Sequence, residues 1–515
     1  MKPCTALMTG VVVSLSCLSE LLAAEWEKQA GLSVGAEFSD NICLSDDDRQ
    51  SRGYGTLTPD VSLRGQGART NVGLDASVRF STLGDSDIDC AGGQGFTQGD
   101  RQTFIPRLRY HGDYELIQDW LTLESDASAR TRNLDPFAPG DPDTFDGRGN
   151  TNVVYQYGAG ALIQRRYFNS ADLRVRYHYN EQNNDAQRLG DSSQNLGEFN
   201  LNTEPSNNRL TFGLSGRYRE VEYEGTETVP PFENTLSSAE VSASLRLGAS
   251  WQISALVGEE SNEFVSLRPE IDGEYWDASL RWSPNERVEV NVGTGERFFG
   301  TTPHASIRYR HRRSELIADY NRRLRLPRDL RGGSGLTGDR FGSGFDPALD
   351  PAFDPALDPA FDPVLGPGFG PGEFPDTPTF IGNTPIINEQ LRLTYRYTGQ
   401  RTTIAVTATN SQQQRLADLA DAEFSTLGLS LTRSLSSNLS ATANLRVREG
   451  EGRGDNAIST FREPAQTWRA AFGLNRQLGR DTNISMSYEH TRRDSESEFS
   501  NYTENRLVLT ARHRF

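Results

Sequence analysis

The chain has 515 residues, enough for several ordinary domains, yet only 35% of them are hydrophobic and 48 are glycine. Its formal net charge of −17 argues against general binding of nucleic acid, whose phosphates attract basic proteins. Phe, Tyr and Trp residues recur regularly along the sequence, which argues against a disordered acidic chain. We therefore expect a large antiparallel structure with one apolar and one polar face.

Residues 1–24 have the layout of a secretory signal peptide. Lys2 precedes an apolar stretch that begins at Ala6, and small residues end that stretch before Glu25. A membrane-anchoring helix is the weaker alternative, because the apolar stretch is shorter than the ~20 residues that span a bilayer. We predict that residues 25–515 are exported, and no later stretch has the composition of a transmembrane helix.

From Leu32 onward, apolar and polar residues alternate along the chain. In "LRVRYHY", Leu173 and Val175 lie on the face opposite Arg174 and Arg176, and "VEVNVGT" and "LRLTYRY" follow the same pattern. Alternation with a period of two is typical of strands with one apolar and one polar face. The sequence therefore predicts a series of amphipathic β-strands.

The connections between these strands alternate between short turns, such as "SPNER" and "TGQR", and long loops. Every long loop follows an odd-numbered strand, and "FFGTT" near Phe299 is the one short connection in that series. Outer-membrane barrels combine an even strand number, short periplasmic turns and long outer loops. We predict an all-β, up-and-down antiparallel transmembrane β-barrel of about 22 strands, within a range of roughly 18 to 24. A soluble sandwich, propeller or solenoid would need more Leu, Ile and Val for its dry core.

The chain ends in "RLVLTARHRF", in which Leu507, Leu509 and the terminal Phe515 share one face. A last strand that closes on a terminal Phe resembles the signal that bacterial barrel-assembly machinery reads. Trp251 and Trp282 stand beside predicted periplasmic turns, where an interfacial aromatic girdle is expected. These features predict a barrel that closes on its C-terminal strand.

Two cysteines belong to the predicted mature chain, Cys43 in the first outer loop and Cys90 in the second. Both lie on the same rim of the predicted barrel, so a disulfide between them is feasible in an oxidising compartment. Two free thiols are the alternative.

The longest predicted outer loop, residues 326–387, contains "FDPALDPAFDPALDPAFDP". A proline at every fourth position excludes a helix and a central strand. The loop is either a low-complexity insertion, which we favour slightly for the repeat itself, or a partial plug that folds into the lumen.

The sequence contains no sign of a catalytic site. Its six His residues lack metal-binding spacing, and no nucleophile or phosphate-binding motif is present. The acidic segments "GDSDID" and "GDPDTFDG" could bind Ca²⁺, although solvated loop acids are the favoured interpretation. We therefore predict no enzymatic activity, no metal and no cofactor.

Arginines stand on the polar faces of the predicted strands, opposite the residues that we expect to face lipid. The predicted lumen-lining set is Arg107, Arg109, Arg174, Arg176, Arg217, Arg219, Arg308, Arg310, Arg392, Arg396, Arg446 and Arg448. Rings of basic side chains in a pore favour anions. Inward arginines with acidic neighbours such as Asp277 and Glu289 are equally consistent with structural packing of the interior, and both interpretations stay open.

Three segments carry a family resemblance: "GLSVGAEFSDNICLS" near the predicted mature N-terminus, "DWLTLESDASAR" from Asp119, and "YWDASLRWSPNERVEVNVGTGERFFG" from Tyr275. They resemble the outer-membrane β-barrel family found with PEP-CTERM and exosortase systems, over approximately residues 30–325 and 388–515. The Asp-Pro-Ala repeat and the cysteine pair are not part of the family pattern. The resemblance implies a large Gram-negative barrel that accompanies exopolysaccharide biosynthesis and export.

We therefore expect an outer-membrane β-barrel of a Gram-negative bacterium that is associated with export of exopolysaccharide or surface polymer, as a passive pore or barrel scaffold. Its expected partners are outer-membrane lipid, the barrel-assembly machinery, exopolysaccharide and periplasmic export proteins, and not nucleic acid. The first alternative is a general diffusion porin or solute channel. The second is a structural or adhesive surface protein with a closed lumen.

Overall fold

The computed structural model describes residues 25–83, 90, 103–145, 149–167, 170–186, 189–203, 209–226, 229–332, 383–453, 462–496 and 500–515. The predicted signal peptide and the Asp-Pro-Ala repeat lie outside the described residues. Within the described ranges, no helix has the length and apolar character needed to span a bilayer.

Twenty-two long strands form one sheet in which strands that follow one another along the chain pair antiparallel. Their bounds, together with the two-residue β14 and one short helix, are β1 (Glu25–Ser39), β2 (Arg52–Gln66), β3 (Thr70–Ser81), β4 (Phe104–Ile117), β5 (Leu121–Asn133), β6 (Thr151–Tyr167), β7 (Ala171–Asn184), β8 (Ser192–Thr203), β9 (Leu210–Tyr223), β10 (Phe232–Leu247), β11 (Trp251–Glu263), β12 (Gly273–Asn285), β13 (Val288–Arg297), β14 (Gly300–Thr301), β15 (His304–His311), β16 (Ser314–Arg325), α1 (Pro327–Gly332), β17 (Ile386–Thr398), β18 (Thr402–Arg415), β19 (Asp421–Ser434), β20 (Leu439–Arg453), β21 (Arg462–Leu478), β22 (Thr482–Ser495) and β23 (Tyr502–Arg514). The segment β14 lengthens the hairpin of β13 and β15.

The sheet closes on itself because the first strand pairs with the last. The ladder between β1 and β23 begins with Gly31 opposite Arg514 and is antiparallel throughout. Beside it, the backbone N–H of Phe515 donates a hydrogen bond to the carbonyl oxygen of Ala30 at 2.9 Å. Closure leaves no free sheet edge, as membrane-spanning strands require. The predicted all-β, up-and-down antiparallel barrel of about 22 strands is confirmed.

Side chains alternate between the two surfaces of the wall, because successive residues of a strand point to opposite faces. On β7, Tyr177 is exposed on the outer surface, whereas Arg176 points inward and is buried. The outer surface is rich in exposed aliphatic and aromatic side chains, among them Leu507 and Leu509 beside the closing seam. An apolar outer surface around a polar interior is the arrangement of a barrel that lies in lipid.

The two ends of the barrel differ in the length of their connections. Tight turns join the strands at one end, here called the short-turn end, and Gly248 and Gly479 supply the positive φ angles of 77° and 79° that two of them need. The other end, here called the long-loop end, carries connections such as residues 134–150. The predicted loop 326–387 also starts there, although β17 already begins at Ile386.

Candidate functional site

The inward side chains of the barrel differ in burial between its two ends. A barrel of this strand number encloses more space than its wall side chains can fill, and such barrels hold a plug. Along β7 toward the long-loop end, the exposed fraction of the inward side chain is 17% at Asp172 and 27% at Arg174, and it falls to 5% at Arg176. Exposure then falls to 2% at His178 and 0% at Asn180, and burial along β19 follows the same trend. The inward side chains of β7 and β19 are therefore more buried toward the long-loop end than toward the short-turn end.

In the connection between β5 and β6, the described residues 134–145 and 149–150 fold against the inner surface, and they are called the inner loop below. The Asn150 amide joins its two ends: it accepts a hydrogen bond from the N–H of Asp135 at 2.8 Å and donates one to the Asp135 carbonyl oxygen at 2.9 Å. The same amide donates to the carbonyl oxygens of Ala138 and Pro139 at 3.3 and 3.2 Å. A loop whose ends meet and that packs on itself is an Ω-loop, a form frequent at functional sites.

Two carboxylates of the inner loop meet arginines that point inward from the wall. Asp141 forms an ion pair with Arg469 of β21, with 2.5 Å between Oδ2 and Nη2. Asp143 forms an ion pair with Arg107 of β4, and Arg79 of β3 donates a hydrogen bond to the Asp143 carbonyl oxygen at 2.8 Å. Because β21 and β3–β4 lie on opposite sides of the closing seam, the inner loop ties two parts of the wall together.

Further contacts hold the backbone of the inner loop. Arg448 of β20 donates a hydrogen bond to the carbonyl oxygen of Pro136 at 3.3 Å, and Arg493 of β22 donates one to that of Phe137. The Phe137 ring packs on Phe424 of β19, with 5.2 Å between the ring centroids. Polar and apolar contacts thus anchor the same end of the loop.

The charge of Asp141 is secured by its surroundings. Burial raises the pKa of this carboxyl, but the positive charges of Arg469 and Arg506 lower it by more, and the resulting pKa is about 2. An opposite charge at short range favours the ionised form of a carboxyl. The ion pairs of Asp141 therefore persist throughout the neutral pH range.

The inner loop also packs on the cluster around a disulfide. Cys43 and Cys90 are bonded to each other, with 5.5 Å between their Cα atoms. Cys43 belongs to a buried apolar cluster with Ile42, Tyr54 and Phe145 of the inner loop. The rings of Tyr54 and Phe145 meet edge-on, with centroids 6.1 Å apart. The disulfide therefore stabilises the surface against which the inner loop rests.

The helix α1 is a second element that reaches into the lumen. Arg328 is fully buried and donates a hydrogen bond to the carbonyl oxygen of Asn180 on β7 at 3.1 Å. Burial lowers the pKa of Arg328 to about 10, so its guanidinium is still charged at neutral pH. Asp329 accepts a hydrogen bond from Arg219 of β9, with 2.7 Å between Oδ2 and Nη1. Because α1 follows β16, these contacts with β7 and β9 connect distant parts of the wall.

A third contact joins the connections that follow β11 and β18. The N–H of Leu267 donates a hydrogen bond to the carbonyl oxygen of Leu416 at 2.9 Å. Beside it, Arg268 donates one to the side-chain oxygen of Gln414 at 2.9 Å. Leu416 is fully buried in an apolar cluster at this place. Among the described residues, three separate sets of contacts therefore join loops to the wall or to each other at the long-loop end.

The strand register places the predicted lumen arginines on inward faces, since residues opposite each other on paired strands share a face. Three of them contact the inward-folded segments: Arg107 and Arg448 hold the inner loop, and Arg219 holds α1. The others point inward elsewhere on the wall: Arg109, Arg174, Arg176, Arg217, Arg308, Arg310, Arg392, Arg396 and Arg446. Several form ion pairs within the wall, such as Arg176 with Glu124 at 2.7 Å.

Sequence reasoning missed four arginines that contact the inner loop or lie beside it. Arg79, Arg469, Arg493 and Arg506 also occupy polar faces of their strands, so the same alternation could have found them. No local feature of the sequence predicts that Asp141 pairs with Arg469. For the segment that contains Asp141, we expected solvated carboxylates or a Ca²⁺ site.

Carboxylate oxygens of Glu220, Glu222 and Glu233 lie within 4.8 Å of one another on the outer surface of β9 and β10. Exposed acidic groups of this kind are common without an ion. The absence of a metal, a cofactor and enzymatic activity stays a prediction.

Comparison with known proteins shows a shared fold. No family model matches the chain, and no curated protein sequence matches it. The siderophore receptor PirA from Acinetobacter baumannii is 10% identical with a TM-score of 0.50, over 95% of this chain and 81% of that one. A mutant of the ferric enterobactin receptor PfeA from Pseudomonas aeruginosa is 11% identical with a TM-score of 0.50, over 96% and 81%. The FrpB iron transporter from Neisseria meningitidis is 9% identical with a TM-score of 0.50, over 95% and 82%. This chain therefore has the β-barrel fold of bacterial receptors and transporters.

Proposed function

We propose that this protein is an outer-membrane β-barrel of a Gram-negative bacterium that serves export of exopolysaccharide or a related surface polymer. In this proposal its own inward-folded loops keep the conduit closed at rest. The secretory layout of residues 1–24 and the closed barrel support the location. The resemblance to barrels found with PEP-CTERM and exosortase systems supports the process. Periplasmic export proteins, outer-membrane lipid and the barrel-assembly machinery are the partners that this role implies.

The observation that carries the proposal is the loss of exposure along the inward face of β7. Long loops of outer-membrane barrels face the outside and short turns face the periplasm. In that orientation the accessible half of the lumen is a vestibule open to the periplasm, and the closed half faces outward. A polymer made inside the cell would enter the polar vestibule, and its passage would require the loops to move.

The alternatives differ in what happens at the closed end. A general diffusion porin keeps an aqueous channel through its whole length, which the burial of His178 and Asn180 disfavours. A structural or adhesive scaffold is the second candidate, because the same closure would suit a barrel that never opens. Uptake of a siderophore-like ligand has less support, since it would rest on a shared fold alone.

Single-channel conductance of refolded residues 25–515 in planar bilayers tests the closure. We expect the wild type to be closed for most of the time and Arg328→Ala to conduct, because α1 loses its contact with Asn180. Arg310→Ala is the matched control, since Arg310 is an inward arginine of the accessible half. Steady conductance of the wild type would favour a porin. Silence of Arg328→Ala in a folded barrel would favour a scaffold.

The role in export requires a test in cells. Deletion of the gene should lower polymer in the medium and trap it in the periplasm, and the wild-type gene should restore release. Unchanged extracellular polymer in the deletion strain would refute the export role, whatever the conductance.

A further inference from the structure

Six arginines gather on the inner surface around the inner loop and are called the basic patch: Arg79, Arg107, Arg448, Arg469, Arg493 and Arg506. They stand on β3, β4 and β20–β23, on both sides of the closing seam. Arg448 lies near enough to Arg469 and Arg493 for their positive charges to repel, and Arg79 is similarly close to Arg107 and Arg506. Such a concentration of like charges in a buried wall is unfavourable unless carboxylates neutralise it.

The neutralising carboxylates come in equal parts from the wall and from the inner loop. Three carboxylates of the wall strands lie among these arginines, namely those of Glu37, Glu489 and Glu504. The inner loop adds three more, namely Asp135, Asp141 and Asp143. Departure of the inner loop would therefore leave the basic patch with a large excess of positive charge.

The inner loop occupies the basic patch as a ligand would. Two of its carboxylates and three of its backbone carbonyl oxygens accept from five arginines of the patch. The planar guanidinium group suits carboxylates, which it can bind through two parallel hydrogen bonds. A sugar carboxylate with neighbouring hydroxyl and ring oxygens offers the same combination of charged and neutral acceptors.

Arginines also lead from the accessible half of the lumen to the basic patch. Arg109 follows Arg107 on β4, and Arg446 precedes Arg448 on β20. In both cases the added arginine points inward and lies nearer the short-turn end. A chain that entered from the short-turn end would therefore meet these arginines before it reached the patch.

We propose that the arginines of the basic patch bind the carboxylates of an acidic polysaccharide. The inner loop occupies the same arginines and therefore competes with the polymer, which binds only when the inner loop leaves. This inference rests on the proposed role in polymer export and narrows the polymer to an acidic one. Binding would displace the inner loop, so the polymer itself would help to open the closed half of the lumen.

The test is calorimetric titration of the refolded barrel in detergent with polygalacturonate oligomers, beside neutral dextran of the same length. Asp141→Asn combined with Asp143→Asn weakens the competitor and leaves every arginine in place. We expect this variant to bind polygalacturonate at least about tenfold more tightly than the wild type, with no gain for dextran. Asp46→Asn combined with Asp47→Asn is the matched control, because it makes the same charge change on exposed residues between β1 and β2.

A second measurement reports the position of the inner loop directly. Thr144 is buried within the loop, so the thiol in a Thr144→Cys variant should react slowly with a membrane-impermeant maleimide. We expect polygalacturonate to accelerate labelling and dextran to leave it unchanged. Adding Arg469→Gln to the double asparagine variant should remove the gain in polygalacturonate affinity.

Equal affinity of the two double variants for polygalacturonate, with both barrels folded, would overturn the proposal. An equal gain for dextran would also overturn it. The outcome is separable from the export role. If the double asparagine variant binds more tightly but the deletion strain traps no polymer, the binding site is supported and the export role is refuted. If the deletion strain traps polymer but the variant binds no more tightly, the export role is supported and the binding site is refuted.

Discussion

Removal of the disulfide between Cys43 and Cys90 tests how firmly the connections of the long-loop end are held. The bond joins residues that are 47 positions apart. A cross-link that closes a loop of this size removes unfolded-chain entropy worth about 4 kcal/mol at 25 °C. We therefore expect reduction of this bond to lower the free energy of unfolding by about 4 kcal/mol.

The double substitution adds a local cost that reduction of the wild type does not. Cys43 is buried in the apolar cluster that includes Phe145, and a buried hydroxyl without a hydrogen-bond partner costs about 1–3 kcal/mol. Reduced wild-type protein keeps both sulfur atoms in that cluster and is the matched control for the bond itself. The variant should therefore be less stable than the reduced wild type, which should be less stable than the oxidised one.

Urea unfolding in lipid vesicles, followed by tryptophan fluorescence, measures all three proteins. A difference below about 1 kcal/mol between oxidised and reduced wild type would refute the reasoning. It would mean that the two connections are already held together in the unfolded chain, so that the bond removes little entropy.

Three further predictions concern closure and assembly. The pKa of Asp141 is lowered from 3.8 to about 2, so its ion pairs stabilise the inner loop fully above about pH 4 and are lost as the pH falls toward 2. Conductance should stay low at neutral pH and rise in that acid range, and Asp141→Asn should lack the pH-dependent step. Asp329→Asn removes the ion pair between α1 and β9, so trypsin should cleave after Arg328, and an unchanged fragment pattern would contradict this role. The backbone N–H of Phe515 donates a hydrogen bond to Ala30 of β1 at the seam, so deletion of Phe515 should lower the yield of barrel in the outer membrane. The matched control Phe472→Ala, on the outer surface, should leave the yield unchanged.

The wall of the barrel could be predicted from sequence because lipid and lumen select opposite chemistry at successive residues. On β7 the exposed Tyr177 and the buried Arg176 stand on opposite faces, as the alternation in "LRVRYHY" indicates. Turn length carried the remaining information, since tight turns and long loops occupy opposite ends of the barrel. Both signals are local, so a single sequence suffices to read them.

The contacts within the long-loop half of the lumen could not be predicted, because they join segments far apart in sequence. Arg79 and Arg506 come near each other because β1 pairs with β23. The inner loop reaches Arg469 across that same seam, and nothing within "GDPDTFDG" distinguishes a carboxylate that meets arginine from one that meets water. The Asp-Pro-Ala repeat of the longest loop drew attention in the sequence, but it lies outside the described residues. Among the described residues, the inward contacts come from the inner loop and from α1, which stands at the start of that longest loop.

The type of contact at the closed end bears on whether it opens. A barrel that is permanently shut is best served by apolar packing, since replacing a buried ion pair with apolar residues is often neutral or stabilising. Here Phe137 and Phe145 supply apolar anchors, yet ion pairs of Asp141 and Asp143 lie between them. An arginine that loses one carboxylate can bind another, whereas a lost apolar contact has no such substitute in water. Closure through charged groups is therefore the form that an acidic ligand can reverse.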